Sequence, residues 1–240
     1  LAGAPVLSKY IISTKRHRRR IRDSRVLRSN ELTAIVARLP QSQKPDVLIN
    51  ASPCEIYQSH PRNALTEDAP HANTFLAKLA EEWENATAPL VQSLRVVYTR
   101  FPTVVGAGGN LWRTMYPIYK LGLGTTIGKG DNWFPWIAVD DVVNIMFFII
   151  ANERISGAVN CVSPNMITQK EFSDAFRRFV NRPALMPRIP AFFAKLGGEV
   201  FTEVFLNSKR VVPAKLQAAG CEWLLPDIAD ALAATRAERR

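Results

Sequence analysis

The chain lacks any run of the roughly 18 to 20 apolar residues that a membrane-spanning helix needs. Its most apolar stretch, residues 145–151, is far too short, so no membrane span is expected. Cysteine is scarce. Cys54, Cys161 and Cys221 are far apart and form no CxxC pair, which argues against a disulfide framework and a zinc site. Each reads as a small buried apolar residue. His17, His60 and His71 have no metal-ligand spacing. No internal repeat or low-complexity segment is evident, which excludes solenoids and arrays. Leu1 opens the chain without a signal-peptide pattern, so any targeting segment would lie upstream of it.

What is present suits a globular α/β protein: 240 residues, 47% of them hydrophobic, enough for one domain and a small appendage. Positive charge is in excess, with a formal net charge of +10. Most of it lies early, because residues 1–46 hold 11 Lys/Arg against 3 acids. One helix or face therefore carries the positive field.

Apolar spacing predicts one helix from a Ser13 or Thr14 cap to Pro40, with the basic run KRHRRRIR in its first turns. Positive charge there opposes the helix macrodipole unless an anion or a partner is near. Residues 47–51 (VLINA) read as a central parallel strand covered on both faces. A polar loop is expected to about residue 72, then a helix over 75–88, a strand over 94–99 and a glycine-rich loop over 101–110. Helices are expected over 111–120 and 140–151, the second capped by Asp140, with Trp133, Phe134, Pro135, Trp136 and Ile137 packed before it. A short strand over 159–162 precedes a helix over 168–180, with Thr168 and Glu171 forming a capping box. The last 50 or so residues read as mainly helical.

Seven stretches in this order resemble one family: IRDSRV (21–26), NASPCEIYQ (50–58), LTED (65–68), TRFPTVVGAGGN (99–110), LGLGTTIGKGDNWFPWIAVDDVV (121–143), VNCVSPNMITQKEF (159–172) and VVPAKLQAAG (211–220). Together they look like the extended short-chain dehydrogenases/reductases, in the epimerase/dehydratase-like branch with a small C-terminal domain of unknown function. The resemblance implies an α/β fold: a Rossmann-like, doubly wound parallel sheet, incomplete at the N-terminus, with a small, mainly helical C-terminal lobe. The expected division is 1–165 for the remainder of the dinucleotide-binding-type domain, with substrate-side loops from about 100, and 166–240 for the lobe. LAGAP (1–5) resembles the loop after the family's fourth strand. The glycine-rich dinucleotide loop would then precede Leu1, and either that segment or a protein partner would cover the sheet edge. Gly106-Ala107-Gly108-Gly109 is not expected to replace it, because it follows Arg100-Phe101-Pro102 rather than leading from strand to helix in a first βαβ unit.

By resemblance, NADP or NAD is the implied cofactor. Phe101, Pro102 and Thr103 would approach the nicotinamide, and Ala2 and Gly3 a ribose. Ser52 stands at the family's serine position. The family's Tyr-x-x-x-Lys pair, which transfers and assists the proton, is replaced by Phe75 and Leu79, and Lys78 is displaced by about 100° around the helix. Phenylalanine has no proton to give. Tyr57 is the candidate substitute acid, against a packing role.

Two functions from different classes follow. The expected one is a non-catalytic homologue serving as a structural or assembly component of a larger, mitochondrial ribonucleoprotein complex. In it, Lys15, Arg16, Arg18, Arg19, Arg20 and Arg22, within a basic surface over 15–28, would bind RNA or an acidic protein surface. The alternative is an NADP(H)-dependent oxidoreductase or epimerase acting on a small or nucleotide-linked substrate. Basicity fits the mitochondrial matrix, with the cytoplasm as the alternative.

Overall fold

The computed structural model describes residues 3–6, 14–183, 185–192 and 198–237. Strands β1 (Val47–Pro53), β3 (Arg95–Phe101) and β7 (Gly157–Asn160) form a parallel sheet in the order β1-β3-β7. Successive strand residues point to opposite faces. Val47, Ile49, Val97 and Val159 pack against Ile145 and Ile149 of helix α5 (Val139–Ala151). Leu48, Val96 and Tyr98 face the other way, towards Leu90 and Val36 of helix α2 (Val26–Arg38). Because both faces are covered, the strands are apolar along their length, as the sequence anticipates. Each fully buried isoleucine of α5 contributes roughly 1.5–3 kcal/mol. The three cysteines are buried and free.

The predicted first helix is two. Thr14 caps α1 (Lys15–Asp23), its hydroxyl accepting from the His17 backbone, but α1 ends at Ser24 before α2 begins. Ser24 Oγ donates to the Ile21 carbonyl (2.8 Å) and Arg25 Nη1 to the Ala4 carbonyl (2.9 Å). Side-chain bonds of this kind compete with the helical ladder and break it.

The polar segment expected as a loop contains strand β2 (His60–Leu65), parallel to β9 (Lys209–Val211). No periodicity announces it, because its partner is about 150 positions away and Pro61 is tolerated only at such an edge. Helix α3 (Phe75–Asn85) packs on β1.

The remainder is built on strand β4 (Thr103–Val105), parallel to β6 (Trp136–Ala138), with helix α4 (Asn110–Lys120) between them in sequence. Strand β5 (Trp133–Phe134) pairs with β8 (Ile167–Thr168). Helix α6 (Gln169–Val180) opens with the predicted capping box of Thr168 and Glu171, whose bonds hold the Glu171 carboxyl below its usual range. Phe172 and Phe176 of α6 pack with Trp112, Tyr119, Phe134, Trp136 and Leu232. One core thus includes residues on both sides of position 165. The chain continues through helices α7 (Gly198–Phe205), α8 (Ala214–Ala218) and α9 (Ile228–Ala237).

Candidate functional site

In a doubly wound sheet, ligands bind in the crevice outside the carboxyl ends of the strands. Ser52 and Pro53 end β1, and Pro53 lies opposite Phe101 at the end of β3, so Ser52 and Phe101–Pro102–Thr103 meet at one sheet edge. The proline keeps Ser52 extended. Ser52 is buried, and its Oγ bonds no described group. An unsatisfied hydroxyl in the interior costs on the order of 1–3 kcal/mol, so its place here fits a group reserved for a ligand. Phe101, Pro102 and Thr103 are half-buried at the same end of the sheet, with the Phe101 ring packed on the cluster of Ile145 and Ile149. A hydroxyl free to bond a ligand at this end of the sheet fits a polar group of a nicotinamide dinucleotide.

Helix α3 carries Phe75 and Leu79, the residues that the resemblance sets at the family's proton-relay positions. Thr74 caps it, the hydroxyl accepting from the Ala77 backbone (3.3 Å). Phe75 is its first residue and lies under the Arg18 guanidinium, 4.9 Å from the ring centroid. Leu79 is buried in an apolar cluster with Ile21, Val26, Leu76 and Ala86, while Lys78 is exposed. Neither relay position carries a titrating group.

Tyr57 does not serve as an available acid. Its phenol is fully buried, donates to Asn160 Oδ1 (2.6 Å) and accepts from Arg100 Nη1 (2.8 Å). Burial drives its pKa upward, against the pull of the Arg100 charge. Arg100 also forks onto Glu84, Nε to Oε1 and Nη2 to Oε2, both 2.9 Å. Burial is the largest influence and works against the Arg100 charge, but its bonds to Glu84 and the charge and bond at Tyr57 together outweigh it and raise the group above its ordinary range. Asn160 N and Lys215 N both donate to Glu67 Oε1 (3.1 and 3.2 Å). Tyr57, Glu67, Arg100, Asn160 and Lys215 come from five of the seven stretches that carry the resemblance. Those stretches thus meet in a buried polar network beneath the site.

A similar tie explains IRDSRV. Ser24 Oγ accepts from Ala4 N (3.0 Å), Arg25 donates to Ala4 O, and a side-chain carbon on Gly3 would lie 2.8 Å from the Arg25 guanidinium carbon. A side chain there would have to displace the guanidinium from its bond to Ala4. Gly3 is therefore held against the end of α1, whereas Ala2 lies outside the described residues.

Of the basic set, Arg18 pairs with Glu199 (3.0 Å) and Arg22 with Glu82 (2.5 Å). Lys15, Arg16, Arg19 and Arg20 are exposed, Arg19 with a loose contact to Asp23 (3.5 Å). Arg16, Arg19, Arg20 and Arg28 line an open groove of about 1030 Å³ with His17 and Leu27.

Gly106–Ala107–Gly108–Gly109 joins β4 to α4 with Gly109 at the cap position, a strand-to-helix turn that lies outside the β1-β3-β7 sheet. One expectation is corrected. Asp140 does not cap α5, which begins one residue earlier after Ala138. Its neighbour Asp141 is fully buried instead and accepts from the backbone of Leu224 (2.6 Å) and Leu225 (3.2 Å), tying the C-terminal segment to α5. Burial raises its pKa, with these two bonds opposing.

Among the described residues, no group of three His, Cys, Asp or Glu is arranged to hold a metal, and no helix is long and apolar enough to cross a membrane. Sequence reasoning passed over Glu203. This carboxylate of α7 is buried against Thr74, and its only advance signal is an acid within the apolar run VFTEVF.

Comparison with known proteins agrees with this geometry. Residues 15–161 match the NAD dependent epimerase/dehydratase family, and residues 189–235 match a domain of unknown function (DUF1731). Epimerase family protein Mb2239 of Mycobacterium bovis is 35% identical over 215 residues, covering 88% of this chain and 69% of that protein. The chloroplastic SDR39U1 homolog of Arabidopsis thaliana is 28% identical over 235 residues, or 98% of this chain and 66% of that one. The chain thus spans about two thirds of these relatives. The crystal structure of human epimerase family protein SDR39U1 (isoform2) with NADPH superposes with a TM-score of 0.88 at 26% identity, over 97% of this chain and 78% of that one.

Proposed function

Since the chain belongs to the NAD dependent epimerase/dehydratase family, we propose that it forms the nicotinamide-facing and C-terminal parts of an NADP(H)-binding homologue without a Tyr/Lys proton relay. The buried Ser52 hydroxyl, which bonds no described group and lies at the strand ends from which Phe101, Pro102 and Thr103 continue, carries this reading. The NADPH in the human relative's structure supports the choice of cofactor. When bound, the cofactor would supply hydride chemistry. This chain's residues would present the Ser52 hydroxyl, flank the ring with Phe101 and Pro102, and keep the ribose-side backbone at Gly3 in place through Ser24 and Arg25. Phe75 and Leu79 would transfer no proton.

The test is a fluorescence or calorimetric titration of the full-length protein with NADPH and NADP. Saturable binding that weakens in Ser52→Ala and is unchanged in Tyr57→Phe is the expected result. No binding to the full-length protein overturns the reading.

A second reading, a structural component of a mitochondrial ribonucleoprotein, is favoured by the exposed arginines around the groove on α1 and α2. Neutralising several phosphates there would make RNA binding steeply salt-dependent. Co-purifying RNA that disappears when Arg16, Arg19 and Arg20 become glutamate supports it, and RNA-free protein at low salt removes it.

A further inference from the structure

Helix α7 lies against the N-terminus of α3, and two carboxylates one turn apart make the junction. Glu199 Oε1 accepts from the Phe75 backbone N–H (3.3 Å), and Oε2 pairs with Arg18. Glu203, only 3% exposed, accepts a 2.5 Å hydrogen bond at Oε1 from the Thr74 hydroxyl. Its Oε2 is buried and bonds no described group. The seam therefore hides a carboxyl oxygen that no described group satisfies.

We propose that Glu203 is a proton-operated latch: with a proton on Oε2 it holds α7 over Thr74 and Phe75, and when that proton leaves, α7 separates and uncovers the N-terminus of α3.

The charged surroundings explain why the proton decides. From β9, Lys209 is near, but its Nζ donates to the Glu55 carbonyl (3.0 Å) rather than to Glu203. Glu55, in the turn after β1, and Glu199, on the same helix, are like charges. On α3 the only side-chain group bonded to the carboxyl is the Thr74 hydroxyl. A buried carboxylate without a cation is costly, so the neutral acid is the form that fits. Burial is the largest influence and raises the group, Thr74 and Lys209 lower it, Glu55 and Glu199 raise it, and the balance pushes it up to about 7. For an acid raised on closing, the closed seam is fully stable below the ordinary value of 4.5 and loses stability as pH climbs from there to about 7. Above that window the loss is constant.

The latch stands on this geometry alone, and only its control of access to the nicotinamide side rests on the proposed function. Hydrogen exchange of the full-length protein, followed by mass spectrometry on peptides covering 198–205 and corrected for the intrinsic pH dependence, reads the opening equilibrium. Between pH 5 and 7, opening should increase by up to about two orders of magnitude and then level off. Glu203→Gln, which keeps the shape and cannot ionise, should remove the slope while peptides over β3 stay protected. Thr74→Val should raise opening at every pH and keep the slope. A flat wild-type profile from pH 5 to 8, or an unchanged slope in Glu203→Gln, overturns the latch. If the slope depends on Glu203 but saturating NADPH leaves opening unaltered, the latch holds and its link to the cofactor is removed.

Discussion

Glu84, beneath the central sheet, lies against a guanidinium that gives it two hydrogen bonds, whereas Glu203, at the seam with the C-terminal lobe, has one hydroxyl and an oxygen that bonds no described group. Both are almost completely removed from water. In the sheet region Arg100 meets the carboxylate with two hydrogen bonds, and the pair ties β3 to α3. At the seam no described cation bonds the carboxyl, and under the proposed latch a proton takes the cation's place and makes the contact a function of pH. The first arrangement suits a scaffold under the site, and the second suits a joint.

The comparison is most strongly tested by removing the cation. Arg100→Met leaves Glu84 buried and unpaired and takes a donor from Tyr57, so urea unfolding should report a loss of about 3–5 kcal/mol. A loss below about 1 kcal/mol would show that Glu84 escapes to water and that the two regions do not differ as described. Next in size is the pH dependence of the seam. Burial-driven elevation of Glu203 from 4.5 to about 7 should cost wild type up to about 3 kcal/mol as pH rises through that window, if the seam opens only with global unfolding. Unfolding midpoints of Glu203→Gln should lack that component, and equal pH slopes for the two proteins would break the contrast. The smallest effect is expected from Tyr57→Phe, which removes the hydroxyl between Arg100 and Asn160 and should cost about 1–2 kcal/mol. That variant should keep its NADPH affinity. Weakened affinity would return Tyr57 from the scaffold to the site.

Much of the sheet was legible from local signals. VLINA and LRVVYT announced buried parallel strands because apolar residues on alternating faces need cover from both sides. Thr14, Thr168 and Glu171 announced helix starts because capping bonds span only three residues. Phe75 and Leu79 could be read as losses at once, since a side chain without a titrating group has none in any fold. The readings that failed depended on remote partners. Strand β2 is polar and exposed along most of its length and exists because β9 pairs with it. Tyr57 looked like a spare acid until Asn160, 103 positions away, and Arg100 were brought to its hydroxyl. Arg18 and Arg22 looked like the other arginines of their run until Glu199 and Glu82 paired with them.

The sequence by itself determined the family, the fold class, the basic character of α1 and the apolar nature of Phe75 and Leu79. Each is a matter of residue type, order or short-range spacing. Tertiary structure alone decided which polar groups are satisfied: Glu84 by Arg100, Glu67 by Asn160 and Lys215, Asp141 by the backbone at Leu224 and Leu225, and Ser52 and the second oxygen of Glu203 by no described group. The physical reason is that the energy of a buried polar group is set by what surrounds it, and those surroundings are assembled from segments that adjoin only after the chain has folded.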